Sequence, residues 1–191
     1  KLRQCQKFVE IVGRIVDDRM REEEEGEKEG QRHGKKRKEI SCVDVGCGRA
    51  YLTFGLHAYL AKKYNGTVAT TGIDVRPKLV KEVSDIARSL GGRFDTLNFE
   101  EGTVENLVEE ISAQENKTRN DGDSDDSPLN VLVALHACDT ATDDALYAGI
   151  AKSADVIVVA PCCHKEVRPQ LDDHFAMTRD RKSTRLNSSH A

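Results

Sequence analysis

The order of apolar and helical segments from residue 40 onward constrains the fold of this chain more than any other feature. Short apolar runs such as "VLVAL" and "VIVVA" are separated by stretches with helical periodicity. Runs that are apolar throughout suit strands buried on both sides, and strands that alternate with helices favour a parallel sheet with helices on both faces. The sequence therefore predicts an α/β fold with a doubly wound, mostly parallel sheet.

The strands and helices of this fold can be placed from the periodicity and from the residues that interrupt it. Pro77 opens one helix at a favoured first-turn position, and Gly91 and Gly92 end it. The apolar face of that helix is predicted to comprise Leu79, Val83, Ile86, Ala87 and Leu90. Strands are predicted over residues 41–45, 67–75, part of "RFDTLNFEEG", 130–138 and 154–162, and helices over 51–64, 77–90, 104–111 and 142–152.

The chain before residue 40 divides into two parts. Residues 1–20 are predicted to form an N-terminal helix, whose apolar face is Phe8, Ile11, Val12, Ile15 and Val16. The segment 21–39, "REEEEGEKEGQRHGKKRKE", contains no apolar residue and is predicted to be a disordered charged insertion. Its basic run leaves a nucleic-acid role open, although a solvated linker is favoured. The main domain is assigned to residues 40–171, with a second polar insertion at 114–128.

Composition narrows the function classes. A formal net charge of −4 gives no global basic field, so no DNA partner is expected. No apolar run reaches the ~20 residues of a membrane-spanning helix, so no membrane partner is expected. The six cysteines show neither zinc-finger spacing nor a secretory context, which indicates reduced thiols in a cytoplasmic protein. The sequence does not indicate an oligomeric state.

The most informative motif is "VDVGCGRAYLTFGL", which reads as strand, glycine turn and helix. A dinucleotide-binding turn has a third glycine three places after the second, and that place is taken by Tyr51. The alternative pattern has an acid two places before the first glycine, and Asp44, Gly46 and Gly48 match it. Ala50 stands where that pattern has its last glycine.

Two acids at strand ends suggest what the turn binds. Asp44 can meet a cationic amino group. A pyrophosphate, in contrast, would not tolerate a carboxylate near the turn well. Asp74 ends the second predicted strand and can accept hydrogen bonds from both hydroxyls of a ribose. An amino-acid end together with a ribose describes S-adenosylmethionine. The simpler alternative is a glycine turn with incidental acids nearby.

Three blocks carry a family resemblance: "VDVGCGRAYLTFGL", "TLNFEEGTVEN", and "VLVALHACDTATDDAL" with the following "VIVVAPCCHKEVRPQL". They resemble the class I S-adenosylmethionine-dependent methyltransferases, with a Rossmann-like fold. More narrowly, they resemble the methyltransferase-domain family of methyltransferase-like 25 proteins and glutathione S-transferase C-terminal domain-containing protein. The resemblance covers residues 1–171 apart from the two insertions. The chain departs from the family at Arg49 and Ala50, where Lys-Gly is more common. Because Ala disfavours positive φ, we expect weakened cofactor binding.

The resemblance implies a role for each cofactor residue. Asp44, Gly46 and Gly48 would flank the methionine part of S-adenosylmethionine, and Asp74 would hold its ribose. The remaining cofactor-binding candidates are Tyr51 at the end of the turn, Gly102 and Thr103 beside the adenine, and Leu135, which with His136 would lie under the sulfonium.

The chemistry is expected at the end of the fourth strand, in "LHACDTATD". Methyl transfer requires alignment of the acceptor and, for some acceptors, removal of a proton. His136 is a candidate general base because its pKa is near neutrality, with an orienting or packed histidine as the alternative. Asp139 is the second catalytic candidate. For Thr140, Thr142 and Asp143, helix capping is the favoured role.

Cys138, Cys162, Cys163 and His164 allow two sharper hypotheses. One is a cysteine nucleophile, as in enzymes that methylate pyrimidine carbon 5. The other is a metal site, although adjacent cysteines suit a tetrahedral ion poorly. The favoured interpretation is the wall of a substrate pocket, so no metal is predicted. Cys42 and Cys47 beside the turn are interpreted as buried apolar fillers.

The sequence thus predicts an S-adenosylmethionine-dependent methyltransferase. Its acceptor is not readable, but RNA is favoured because related "LHxCGxATD" blocks occur in transfer-RNA ribose methylases. A protein side chain or a small molecule stays open as acceptor. The alternative function is a binding or scaffold module that keeps the fold without turnover.

The end of the chain carries a separate prediction. Residues 180–190, "DRKSTRLNSSH", resemble a translated sequencing adapter, so 172–191 are interpreted as a truncated end with an artefactual tail. Class I domains usually contain two strands beyond the fifth, so the sheet is predicted to be truncated there. We expect such a fragment to be inactive, to expose a sheet edge beside "VIVVA", and to aggregate.

Overall fold

The computed structural model describes residues 2–29, 39–65, 67–103, 127–135, 137, 140–161, 169–172 and 174. Its strands are β1 (Ile40–Val45), β2 (Val68–Asp74), β3 (Leu97–Glu101), β4 (Leu129–Leu135) and β5 (Val156–Ala160). Its helices are α1 (Leu2–Glu29), α2 (Tyr51–Lys63), α3 (Pro77–Leu90) and α4 (Thr140–Ala151), with a short 3-10 turn at Gly92–Phe94. The predicted helix at 104–111 and the insertion at 114–128 lie outside these residues, except for 127 and 128.

The five strands form one sheet in the order β3-β2-β1-β4-β5. All four pairings are parallel, which confirms the predicted doubly wound, Rossmann-like fold. The chain builds outward from β1 through β2 to β3 and then crosses to β4 on the other side of β1. Such a reversal leaves a crevice at the carboxyl ends of the strands, where α/β proteins bind ligands.

Two apolar layers cover the sheet. On one face, Val12 and Val16 of α1 and Leu56 of α2 pack with Ile40 and Leu129. On the other face, the small side chains of α4 pack against the alternate residues of the strands; this second layer includes Ala145, Ala148, Val45, Leu132 and Ala134. Because side chains alternate along a strand, Asp44 of β1 points to the face covered by α2.

Helix α1 is longer than the sequence predicts. The charged segment expected to be disordered from residue 21 continues the helix to Glu29. Glu, Lys and Arg are good helix formers even without an apolar face. Pairs three residues apart add support, since Arg19 contacts Glu22 and Arg21 contacts Asp18. Residues 30–38 of the segment lie outside the described part of the chain.

The buried face of α3 differs from the predicted one. Its buried residues are Val80, Val83 and Ala87, whereas Ile86 and Leu90 are 50% and 54% exposed. The helix packs against β2 and β3, and β3 lies at one edge of the described sheet. An edge strand covers a narrower stripe of a helix than a central strand does, so the outer apolar positions remain uncovered.

Gly72 allows a close approach beneath the carboxyl end of β2. A Cβ atom at this position would lie 2.6 Å from Cδ1 of Phe99 and 3.1 Å from Sγ of Cys47. Phe99 also packs at 5.4 Å, between ring centroids, from Phe54 of α2. The absence of a side chain at Gly72 therefore lets β3, α2 and the turn after β1 meet over β2.

Among the helices of the described residues, none is long and apolar enough to cross a membrane. Strand β5, which is the "VIVVA" run itself, occupies the edge of the described sheet opposite β3. The expected aggregation stays a prediction.

Candidate cofactor-binding site

The glycine turn connects β1 to α2 through three left-handed residues. Gly46, Gly48 and Ala50 have φ values of 71°, 58° and 56°. Glycine takes this conformation freely, whereas an alanine is strained there by about 1–2 kcal/mol. The steric demand predicted at Ala50 is therefore confirmed, and its methyl group is fully buried. The expected weakening of cofactor binding stays a prediction.

Four backbone amides of the turn are already hydrogen-bonded within the protein. The N–H groups of Gly46 and Cys47 both donate to the carbonyl of Ile73 at 2.9 Å, and the N–H of Ala50 donates to the carbonyl of Cys47 at 2.8 Å. The N–H of Gly48 donates to the side chain of Asp74. A phosphate-binding turn instead points such amides at the ligand. The geometry therefore disfavours a pyrophosphate, as Tyr51 does in the sequence.

Tyr51 is the first residue of α2, and its side chain is 59% exposed. Its position places a bulky, solvent-facing ring at the helix start, where a dinucleotide-binding protein has a packing glycine. The structure brings it beside the turn.

Asp44 is buried behind the turn, with 1% of its surface exposed. Its carboxyl accepts one hydrogen bond, from the hydroxyl of Thr53 in α2 at 2.6 Å. Burial raises the pKa of Asp44 to about 7, the Thr53 hydrogen bond opposes this rise, and the nearby charge of Asp74 adds to it. Thr53 was not predicted from the sequence. The available signal was a polar residue on the face of α2 that also carries Leu56 and Leu60.

Asp74 ends β2 and is 5% exposed, but its carboxyl has several partners. Its Oδ2 accepts from the N–H of Gly48 at 2.9 Å and from Nη2 of Arg76 at 2.8 Å. Its Oδ1 accepts from the backbone N–H of Arg76 at 3.0 Å and from Nε of Arg76 at 2.8 Å. These bonds, with that of the Arg76 side chain first, hold the pKa of Asp74 below its usual value despite its burial. The carboxylate is therefore ionised at neutral pH.

The other cofactor candidates lie along the same edge of the sheet. The N–H of Gly102 donates to the backbone carbonyl of Asp74 at 3.2 Å, which ties the end of β3 to the end of β2. Thr103 is half-buried beside it. Leu135 lies two residues past Val133, the β4 partner of Asp44, and packs against the apolar layer under α1 and α2. The structure thus places Gly102 and Thr103 beside the end of β2, whereas Leu135 packs with the layer under α1 and α2, and the cofactor roles stay predictions.

The two cysteines beside the turn differ in burial. Cys42 is 1% exposed, and burial raises the pKa of its thiol well above the usual range. Cys47 is only partly buried, and burial raises its pKa to about 12. Both thiols are therefore neutral at physiological pH. The interpretation as buried fillers is confirmed for Cys42 and holds in part for Cys47.

Several candidates for chemistry lie outside the described residues. These are His136 and Asp139, predicted as catalytic, and Cys138, Cys162, Cys163 and His164. Nearby, the hydroxyl of Thr142 in the first turn of α4 donates to the carbonyl of Ala137 at 2.5 Å. This bond ties the loop after β4 to α4, but it differs from the predicted cap, in which Thr142 would accept from a helix amide.

The described residues fit an adenosine-type ligand, provided that the side chain of Arg76 leaves the carboxylate of Asp74. A Cβ atom at Gly46 would meet nothing within 4 Å, so the turn leaves open space beside it. Asp74 offers an ionised carboxylate for a diol at the adjacent strand end. The condition concerns Arg76, whose guanidinium occupies that carboxylate and lies 3.6 Å from where a Cβ of Gly48 would be. Arg76 was not predicted from the sequence.

Comparison with known proteins identifies one family and finds several distantly similar solved structures. A family model described as "Methyltransferase domain" matches residues 1–170. No curated protein matches the chain. Among solved structures, the carbon methyltransferase of DszA is 18% identical, with 61% of this chain and 26% of that chain covered and a TM-score of 0.39.

Two further solved structures are similar at the same level. A SAM-dependent methyltransferase from Aquifex aeolicus is 17% identical, with 52% of this chain and 43% of that chain covered and a TM-score of 0.32. Coclaurine N-methyltransferase bound to N-methylheliamine and SAH is 12% identical, with 50% and 22% covered and a TM-score of 0.32. The chain therefore spans less than half the length of each of these structures.

Proposed function

Because the chain belongs to the methyltransferase-domain family, whose cofactor is S-adenosylmethionine, we propose that it transfers a methyl group from S-adenosylmethionine to an RNA acceptor. The observation that carries the proposal is the pair of strand ends at β1 and β2. An open glycine turn follows one strand, and an ionised carboxylate ends the other. This combination suits a nucleoside with an amino-acid tail.

Asp74 has the properties of a ribose-binding acid. Its two oxygens can accept from two neighbouring hydroxyl groups, and its lowered pKa keeps both oxygens as acceptors at neutral pH. The bond from Gly48 fixes the carboxylate against the turn. The ribose end of the cofactor is therefore proposed to lie over β2, with Gly102 and Thr103 beside the adenine.

The rest of the cofactor is proposed to extend over the turn toward β4. S-adenosylmethionine supplies a methyl group on a positively charged sulfur. The glycines at 46 and 48 allow the backbone to approach that ligand closely. Leu135 and His136 would line the methyl-bearing end, where alignment of the acceptor is the main requirement of the reaction. His136 and Asp139 are the proposed residues for removing or orienting a proton.

The RNA acceptor is supported by the block "LHACDTATD" at the end of β4, which is similar to a block in transfer-RNA ribose methylases. The net charge of −4 adds no support, because RNA binding normally relies on a basic surface. Methylation of a protein or of a small molecule is the outcome that would replace RNA in the proposal. DNA and membrane partners are not proposed.

A second candidate is a binding or scaffold module without turnover. The observation that favours it is the hydrogen bonding of Asp74, because both of its carboxylate oxygens already accept from protein donors. The strained Ala50 in the turn points in the same direction. In that case the family fold would be kept while cofactor binding is lost.

The test has two stages and uses the full-length protein. Isothermal titration with S-adenosylmethionine compares the wild type with Asp74→Asn, and with Asp85→Asn on the exposed side of α3 as the matched control. We expect Asp74→Asn to weaken binding about tenfold or more and the control to leave it unchanged. Absence of binding by the wild type would favour the scaffold.

The second stage incubates the wild type with cofactor labelled at the methyl group and with separated RNA, protein and small-molecule pools from cells. Label in RNA supports the proposed acceptor. Label in protein or small molecules overturns the acceptor while the methyltransferase assignment stands. Binding without label in any pool contradicts catalysis and supports the scaffold.

A further inference from the structure

We propose that Arg76 is a built-in competitor of the cofactor: its guanidinium holds the two Asp74 oxygens that a ribose needs, and binding requires the ribose hydroxyls to displace it. The inference rests on the proposed function, because it takes Asp74 as the ribose-binding acid. It adds a residue that determines how tightly the crevice binds an adenosine-containing ligand.

The carboxylate of Asp74 offers a limited number of acceptor positions. An ionised carboxyl has two oxygens with about four lone-pair positions in all. Each oxygen of Asp74 accepts two hydrogen bonds, one from a backbone N–H and one from the Arg76 side chain. Both oxygens are therefore filled, and a ribose can bind only if some donor leaves.

The donors on Asp74 differ in how easily they can leave. The N–H of Gly48 belongs to the braced turn, and the backbone of Arg76 starts α3, since its carbonyl accepts from the N–H groups of Leu79 and Val80 at 3.0 Å. The guanidinium is different, because the side chain of Arg76 is 62% exposed while that of Asp74 is 5% exposed. Water can replace what the guanidinium loses, so it is the exchangeable partner.

The guanidinium of Arg76 and a ribose present donors to the carboxylate in similar arrangements. Arg76 places Nε on one oxygen and Nη2 on the other, both at 2.8 Å. Two neighbouring hydroxyls of a ribose also present one donor to each oxygen. A ribose can therefore restore both bonds that the guanidinium gives up, which keeps the buried carboxylate satisfied through the exchange.

This exchange makes the observed affinity depend on how firmly Arg76 is held. The apparent dissociation constant equals the intrinsic constant divided by the fraction of molecules in which the carboxylate is available. A partly exposed, two-pronged ion pair is a modest competitor. Removal of the Arg76 side chain is therefore expected to tighten cofactor binding by about three- to tenfold.

The experiment measures binding of S-adenosylhomocysteine, whose sulfur is uncharged, so that repulsion between a sulfonium and Arg76 plays no part. The full-length wild type is compared with Arg76→Ala, Arg76→Lys and Asp74→Asn by isothermal titration. Arg88→Ala is the matched control, because Arg88 also lies on α3, is exposed, and pairs with a single acid, Asp85. Thermal melting confirms that each variant is folded.

We expect Arg76→Ala to bind S-adenosylhomocysteine about three- to tenfold tighter than the wild type. The affinity of Arg76→Lys is expected to lie between those of the wild type and Arg76→Ala, since lysine keeps the charge but loses the planar fork. The affinity of Arg88→Ala is expected to match that of the wild type. Raising the salt concentration weakens ion pairs, so it should tighten binding by the wild type and not by Arg76→Ala.

The outcomes separate this inference from the proposed function. Weaker binding by Asp74→Asn with unchanged or weaker binding by Arg76→Ala overturns the role of Arg76 and leaves the cofactor site in place. Unchanged binding by Asp74→Asn overturns both, because Asp74 is then not the ribose acid. An unfolded Arg76→Ala leaves the salt dependence of the wild type as the deciding measurement, and a flat dependence overturns the inference.

Discussion

The carboxyl ends of β1 and β2 each bury an aspartate, and the two carboxyls are held in opposite ways. Asp44 is 1% exposed and has one neutral donor, the Thr53 hydroxyl, so burial raises its pKa to about 7. Asp74 is 5% exposed, but it accepts two backbone N–H groups and a guanidinium, and its pKa is lowered. Similar burial therefore gives opposite shifts, and the number and charge of the donors decide the sign.

Because of this difference, the two aspartates have different roles at the strand ends. Asp74 is an anion at all pH values near neutrality and braces the turn through Gly48. Asp44 changes its charge near neutral pH and faces α2 rather than the crevice. The predicted contact between Asp44 and a cationic amino group stays a prediction, and the structure shows that such a contact has to involve a buried carboxyl.

The largest expected effect on stability comes from replacing the two aspartates, one at a time, with asparagine. At pH 6, Asp74→Asn should lower the free energy of unfolding by about 2–4 kcal/mol, because two backbone amides lose a charged acceptor. Asp44→Asn should lower it by less than about 1 kcal/mol, because Asp44 is mostly protonated at that pH and an amide resembles a neutral carboxyl. Urea unfolding of both variants measures the contrast. Equal losses would contradict the assigned difference between the two acids.

The pH dependence of stability separates the acids by sign. The stabilisation that neutral Asp44 provides is complete below about pH 4 and is lost as the pH rises through its folded pKa of about 7. The stabilisation from Asp74 is present above its unfolded value of 3.8 and is lost as the pH falls through its lowered folded pKa. The two acids therefore act in adjacent pH windows.

The measurement is the free energy of unfolding of the wild type and Asp44→Asn from pH 4 to pH 7. In this range the wild type should lose stability relative to the variant by up to about 1.4 kcal/mol per pH unit, which is the slope for one proton. The contributions of the other titrating groups to the free energy of unfolding cancel in the comparison between the two proteins. Parallel curves would show that the pKa of Asp44 is not raised by folding.

The smallest effect is expected in the turn that joins the two regions. Ala50→Gly relieves about 1–2 kcal/mol of strain in the left-handed backbone conformation. It also removes a buried methyl group that contributes about 0.8 kcal/mol. The glycine further destabilises the folded state by about 0.5–1 kcal/mol, because it gives the unfolded chain more conformational entropy. The net change in the free energy of unfolding should be below about 1 kcal/mol.

Ala50→Val is the matched contrast for that substitution. A β-branched side chain is a poor fit to positive φ and overfills a buried position, so thermal unfolding should show a loss of about 1–3 kcal/mol or more. A glycine variant as unstable as the valine variant would mean that the alanine methyl group, and not the backbone conformation, holds the turn.

The sheet and its crevice were predictable because they depend on patterns along the chain. The apolar runs located β1, β2, β4 and β5, and the acid before the glycines located the turn. The length of α1 was not predictable from apolar periodicity, because residues 21–29 form helix through charged side chains. The outer face of α3 was predicted as buried, since a sequence does not show that its helix packs on an edge strand.

The partners of the two acids could not be predicted for a different reason. Thr53 reaches Asp44 only after α2 folds back over β1. Arg76 is close to Asp74 in sequence, but a single arginine after a strand has many possible partners. That both carboxylate oxygens are filled depends on Gly48, which lies 26 residues away from Asp74. Such a contact follows from the register of the sheet and not from any local pattern.

The hydrogen bonds within the glycine turn also give the crevice a way to discriminate among nucleotides. ATP presents the same adenosine as S-adenosylmethionine, followed by a triphosphate instead of an amino acid. The amides of Gly46, Cys47 and Gly48 are committed to Ile73 and Asp74, so they cannot solvate those phosphates. The braced bend therefore offers a polyanion no amide donors at these three positions.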